Sequence, residues 1–242
     1  MSEQEALSCA DAAAQVWKIL YNRQLPRIHA HAYLPFSGNL ARLGFNIAGV
    51  PSLRDINWRL QRISGWQVYS VPGLIDNVEF FKRMAEGAFG ATGWLRKMEE
   101  LDYLEEPDMF HDVFGHVPLL CDPVISEYLL ALADAALKFI DEPEVIEAIA
   151  RLYWYTVEFG LVKEGNDIKI YGAGILSSIG ETDFCLSDKA TRVPFDLIRI
   201  LQTPYTKDSF QQQYFVLDSI DELKGIGAQL FHAINQNRKS KS

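Results

Sequence analysis

The chain has 242 residues, 48% of them hydrophobic, with a formal net charge of −9 and a pI near 5.1. That length fills one substantial core but is short for two full domains, so a single domain over 1–242 is expected, with an arm over about 1–23 and a polar tail over about 238–242. An acidic surface repels a phosphate backbone, the only basic cluster is Arg238, Lys239 and Lys241, and no apolar run approaches bilayer length, so neither nucleic acid nor a membrane is an expected partner.

Ser2 with Glu5 three residues on resembles a capping box, and Leu7, Ala10, Ala14, Trp17 and Tyr21 recur at helical spacing, which predicts an opening helix. Pro26, Pro35, Gly38 and Pro51 then predict a loop. Ser52 caps a helix whose Leu53, Ile56, Leu60 and Ile63 share one face and which stops at Gly65, followed by a strand from Trp66 to Val71. Beyond the Pro72-Gly73 turn, Asp76 or Asn77 starts a helix carrying Val78, Phe81, Met84 and Ala88. Pro107 opens a helix through His111, Asp122-Pro123 one to about Ile140, and Pro143 one to roughly Val162.

Past Gly165 the period shortens. Ile168, Ile170, Gly172, Gly174 and the run Tyr214, Phe215, Val216 and Leu217 predict short strands and turns, and Ser219 with Glu222 predicts a last helix. The whole reads as mostly α with small β elements. Cys9, Cys121 and Cys185 are odd in number and far apart, a pattern that fits a reducing cytoplasm better than a disulfide framework. The amino terminus carries Glu3 and Glu5 rather than a basic signal region.

Three polar side chains stand out. His111 and His116 lie in HDVFGHVP, and Glu158 lies in the oily stretch LYWYTVEFGLV. Residues five apart on a straight α-helix point about 140° apart, so the pair by itself is weak. Pro118 and Gly115 predict that the helix ends there, freeing His116 to swing toward His111. A carboxylate buried without a partner costs several kcal/mol, so Glu158 needs a cation, a hydrogen-bond cluster or water.

Two imidazoles and one carboxylate form a ligand set that leaves open positions on Fe(II), though zinc hydrolases use the same donors. A hydrolase also needs a base, for which Asp112 or Glu106 would serve. The nearby Tyr103, Phe110, Phe114, Tyr153, Trp154, Tyr155 and Phe159 suit a flat apolar substrate and a dry oxidising site instead.

Three segments, EEPDMFHDVFGHVPLL, LYWYTVEFGLV and IYGAGILSSIGE, together resemble the pterin-dependent aromatic amino acid hydroxylases, especially the short bacterial phenylalanine 4-hydroxylases. The likeness runs collinearly from about Gln24 to Leu223. It implies a helical basket of the catalytic-domain type, with His111, His116 and Glu158 as iron ligands. It also implies a monomer, because the regulatory domain and tetramerisation helix of animal members have no counterpart in this sequence.

The segment VPGLIDNVEFF resembles the family's pterin loop, which implies Gly73, Leu74, Ile75 and Asn77 against the cofactor and Phe80 stacked on its ring. Ala150 and Tyr153 would complete that wall, and Asp112, shorter than the glutamate of animal members, would reach the cofactor through water. The resemblance puts Arg96 on the substrate carboxylate and Trp154, Phe159, Gly174 and Ser177 around the ring.

Implied cofactors are Fe(II) and a tetrahydropterin, either tetrahydrobiopterin or a bacterial analogue such as tetrahydromonapterin. The implied reaction converts phenylalanine to tyrosine with O2. Lys207 stands where phenylalanine-specific relatives usually carry an apolar residue, which leaves tryptophan, or meta-hydroxylation of phenylalanine, as alternatives.

Overall fold

The first two helices run further than the sequence reading allows. In the computed structural model, which describes residues 3–102, 104, 106–207 and 209–241, with side chains from Asp11 to Ile234, α1 spans Glu3–His31 straight through Pro26. Pro26 removes one backbone donor, but Trp17, Leu20, Tyr21 and Ile28 bury one long face that holds the helix together. Helix α2 (Leu34–Arg42) occupies the stretch expected to be loop. Pro35 sits in its first turn, where no N–H is needed, and Phe36 and Leu40 are buried. Ser2 and Tyr103, and the side chains of Glu5, Cys9 and residues 235–242, lie outside the described residues, so the capping box expected at Ser2 and Glu5 does too, while the backbone of the expected polar tail continues α10 as far as Lys241.

Local caps behave as the sequence predicts. Ser52 Oγ accepts the N–H of Asp55 at 3.1 Å to start α3 (Leu53–Ile63). Strand β1 (Gln67–Val71) follows, and Asp76 accepts from Val78 and Glu79 to start α4 (Asn77–Ala85). Ala88, assigned by its spacing to that helix, lies instead on β2 (Ala88–Thr92), because Gly87 takes φ +69° and turns the chain out of the helix. Strands β1 and β2 pair in parallel from Gln67–Ala88 to Val71–Thr92, so α4 is the crossover of a βαβ unit.

Asp122 accepts from Val124 and Ile125 to open α5 (Pro123–Lys138). Helix α6 (Pro143–Tyr153) is shorter than expected: its path continues as a π-helical turn, Trp154–Glu158, and Val162 belongs to β3 (Leu161–Glu164). Strand β4 (Asp167–Ile170) returns antiparallel to β3. The short helices α7 (Ala173–Leu176) and α8 (Ile179–Cys185) come next, then β5 (Thr191–Pro194), α9 (Leu197–Gln202) and β6 (Gln213–Leu217).

The four strands order as β4-β3-β6-β5, with β3–β6 and β6–β5 parallel. A capping box at Ser219 and Glu222 leads through a 3-10 turn into α10 (Ile226–Lys241). One cluster of buried side chains runs from Val16 to Ile234. The chain is mainly helical with small β elements, and its aromatic centre lies directly behind the histidine segment. There Phe110 and Phe114 stack at 4.6 Å, and Trp17 meets Phe110 edge-on at 5.3 Å.

Candidate active site

His111 and His116 share one face of a helix, but not by the expected route. The segment Phe110–His116 is a π-helix, and the chain does not break before Pro118: Val117 stays helical at φ −60°, ψ −36°. Bonding from i to i+5 widens each turn and brings residues five apart onto the same side of the helix, which is what an α-helix denies them. The same winding buries Phe110 and Phe114 in the core, so the aromatic stack holds the imidazoles in place.

Glu158 closes the second π-helical turn and faces them. His116 Nε2 lies 3.1 Å from Glu158 Oε1 and 3.2 Å from His111 Nε2, and His111 Nε2 lies 3.6 Å from Glu158 Oε2. Metal bonds of about 2.1 Å at right angles hold their donors about 3 Å apart, so these three can share one ion on a single face. The His116 side chain is 3% exposed and that of Glu158 13%, and both line a cavity together with His111.

Asp112 is a further acid here, within 4.8 Å of both histidine donors. Its Oδ2 accepts the N–H of Thr92 at 2.7 Å, and its Oδ1 stays 4.0 Å from His111 Nε2, so Glu158 is the better placed ligand. Burial alone would lower the His116 pKa, yet Glu158, and then Asp112, hold it above the ordinary value. Burial would likewise raise Glu158, but His116, His111 and the N–H of Gly174 hold it below. Two carboxylates that draw a proton onto a fully enclosed imidazole form a site that a divalent cation satisfies in the proton's place.

Ser177 sets the tautomer of His111. Its hydroxyl has one proton, which goes to the Ala173 carbonyl at 2.8 Å, so at 2.9 Å it accepts from Nδ1–H of His111. The lone pair on His111 is therefore on Nε2, toward Glu158. This contact needs α7 close to the histidine helix. Gly115 allows it, since a Cβ there would sit 2.8 Å from the Ala173 carbonyl oxygen.

The cavity in front of the triad is walled by residues from several elements. Gly73, Leu74, Ile75 and Asn77 line it from the loop into α4, with Phe80 from the helix itself. Ala150, Tyr153 and Trp154 line it from α6 and the turn beyond, and Asp112 from beside the histidines. Phe80 meets Tyr153 edge-on at 5.2 Å, and Phe89 lies 4.9 Å from the His116 ring. The Tyr153 hydroxyl is 3.4 Å from His116 Nδ1.

Phe159, Gly174, Ser177 and Arg96, expected near the substrate, are not among the residues that line this cavity. Phe159 packs on Trp154 at 4.7 Å, and Gly174 packs against Glu158 and Phe159. Arg96 pairs with the buried Asp108, a partner that no sequence signal announces. Tyr205 and Lys207 are part of the wall, and Tyr205 stacks on Trp154 at 4.5 Å. Sequence reasoning missed Tyr205, because its loop reaches the cavity only through tertiary packing.

Residues 6–239 match the family model described as biopterin-dependent aromatic amino acid hydroxylase. Phenylalanine-4-hydroxylase of Caulobacter vibrioides is 44% identical over 232 residues, spanning 96% of this chain and 79% of that protein. The Chromobacterium violaceum phenylalanine-4-hydroxylase is 46% identical over 208 residues, spanning 86% of this chain and 70% of its own length. A crystal structure of phenylalanine hydroxylase from C. violaceum, with bound iron(III) and the oxidised cofactor 7,8-dihydrobiopterin, matches with a TM-score of 0.87 at 43% identity, covering 94% of this chain and 82% of that one.

Proposed function

This chain belongs to the biopterin-dependent aromatic amino acid hydroxylases, and from that premise we propose that it hydroxylates the ring of phenylalanine to give tyrosine, using Fe(II), a tetrahydropterin and O2. The observation that carries the reading is the convergence of His111, His116 and Glu158 within 3.1–3.6 Å on a cavity with aromatic walls. Those three side chains would hold the iron. Iron and pterin together supply the electrons and the activation of O2 that aromatic hydroxylation requires.

The remaining work falls to the chain's own groups. Ser177 keeps the His111 proton on Nδ1, so that the Nε2 lone pair is free for the metal. Gly73, Leu74, Ile75, Asn77, Phe80, Ala150 and Tyr153 offer a flat pterin one continuous surface, with Asp112 placed to reach it through water. Trp154, backed by Phe159 and Gly174, and Tyr205 form the side against which an aromatic ring packs, and this apolar enclosure excludes water from the reacting groups. Asp108 binds Nε and Nη2 of Arg96, leaving Nη1 for the carboxylate of an amino acid.

Purified protein supplied with Fe(II), a synthetic tetrahydropterin, O2 and phenylalanine is expected to form tyrosine. Absence of tyrosine together with absence of pterin-dependent O2 consumption would overturn the reading. The proposal includes a single catalytic domain acting as a monomer in the cytoplasm. Cys121 and Cys185, buried and unbridged, fit a reducing compartment, and elution at 27.4 kDa on a sizing column would test the monomer.

A further inference from the structure

Gln211 is 3% exposed and stands at the end of the loop that follows α9. Its side-chain carbonyl accepts the indole N–H of Trp154 at 3.0 Å, and its amide donates to the carbonyls of Thr206 at 2.8 Å and Ser209 at 3.4 Å. An indole N–H only donates and a carbonyl only accepts, so the amide cannot turn over without losing every one of these bonds.

The backbone of the same residue is anchored as well. Its N–H donates to Oε1 of Glu181 at 3.1 Å, and the Tyr214 hydroxyl donates to that oxygen too. Glu181 is 5% exposed, and Tyr214 is fully buried on β6. At the other end of the loop the Tyr155 hydroxyl donates to the Pro204 carbonyl at 2.6 Å. Between the two anchors sit Tyr205 and Lys207, which line the cavity, and Tyr205 stacks on the same Trp154 that Gln211 holds.

We propose that Gln211 is a positioning residue for the amino-acid substrate: by bonding Trp154 and the backbone carbonyls of Thr206 and Ser209, it sets the gap of the Trp154–Tyr205 wall and thereby the affinity for an aromatic side chain. Gln211 itself does not line the cavity, so it acts through these two rings. Neither the metal donors nor the pterin-side residues are among its hydrogen-bond partners, which separates its effect from theirs. The inference rests on the hydroxylase reading and deepens it.

The test uses the iron-loaded enzyme with phenylalanine and a synthetic tetrahydropterin, and compares Gln211→Leu, Gln211→Glu and Trp154→Phe. Gln211→Leu keeps the bulk and removes the side-chain bonds, Gln211→Glu keeps an acceptor for the indole, and Trp154→Phe removes the indole donor. Gln211→Leu is expected to raise KM for phenylalanine about 10-fold, the scale of one lost buried hydrogen bond, with KM for the pterin and bound iron within about twofold of the parent. Gln211→Glu should recover part of that loss, and in a Trp154→Phe background Gln211→Leu should raise KM by a smaller factor than it does alone.

A KM for phenylalanine that stays put in Gln211→Leu while only thermal stability falls would make the residue a loop staple and end the proposal, as would an equal factor in both backgrounds. If Gln211→Leu does not fold, the other two variants decide: Trp154→Phe must raise KM for phenylalanine more than Gln211→Glu does, and the reverse order overturns the proposal. A parent enzyme that makes no tyrosine would instead overturn the hydroxylase reading itself.

Discussion

The Arg96 guanidinium grips Asp108 with two parallel bonds, Nε to Oδ2 at 2.8 Å and Nη2 to Oδ1 at 3.0 Å, and the same carboxylate accepts the backbone N–H of His111 at 3.1 Å. One buried acid therefore ties the residue expected to meet the substrate to the first turn of the helix that carries His111 and His116. Burial by itself would raise the Asp108 pKa, but Arg96, by bond and by charge, and the N–H of His111 hold it below the ordinary value.

Removing Asp108 would leave a guanidinium 10% exposed and unpaired. Asp108→Ala is expected to cost about 3–5 kcal/mol of stability, the range for breaking a buried pair, read as a lower midpoint in urea unfolding. Because the folded pKa is depressed, the carboxylate stabilises fully above about pH 4, and that contribution is lost as pH falls through the folded value. The variant should lack this part of the acid dependence. A parental profile of stability against pH in Asp108→Ala would sink the argument.

Ser177 decides which nitrogen of His111 faces Glu158 and His116. Ser177→Ala is expected to lower iron affinity about 10- to 100-fold, the usual worth of a hydrogen-bonded partner behind a metal-binding histidine. Titration with Fe(II) under anaerobic conditions would measure it, and an unchanged affinity would show that the tautomer needs no help from this hydroxyl.

Gly115 permits the close approach on which that contact depends. In Gly115→Ala the new methyl would stand 2.8 Å from the Ala173 carbonyl oxygen, a backbone atom that cannot swing aside as a flexible side chain would, so the helices must separate. The expected cost is about 1–3 kcal/mol. Iron affinity should fall with it, because Ser177 moves off His111. Loss of stability with no change in iron binding would uncouple the two.

Glu158 is the third ligand in this reading. Glu158→Gln keeps the shape and removes the charge, so iron binding should fall by at least about 100-fold, more than the loss of an outer partner, and tyrosine formation should stop. The same change removes the largest influence that raises His116, whose pKa in the metal-free protein should drop, as NMR titration would show. Retained iron together with retained turnover would eliminate Glu158 as a ligand.

The sequence by itself determined the features that arise from neighbours along the chain. Ser52, Asp76, Asp122 and Ser219 cap helices because each bonds backbone within three residues, and the strand expected over Trp66 to Val71 forms over Gln67–Val71, whose aromatic and β-branched side chains suit an extended chain. The polar exceptions in oily stretches, His111, His116 and Glu158, were also visible there, because uncompensated polar groups are costly in such surroundings.

Only the tertiary structure decided how those three converge. The π-helical winding of Phe110–His116 depends on Trp17 and Phe36 packing against Phe110 and Phe114, contacts with residues more than 70 positions away. Asp108 under Arg96, Ser177 behind His111 and Gln211 beneath Trp154 join segments 12, 66 and 57 residues apart. No periodicity or cap encodes such pairs, because the free energy that selects them is released only when the core closes around them.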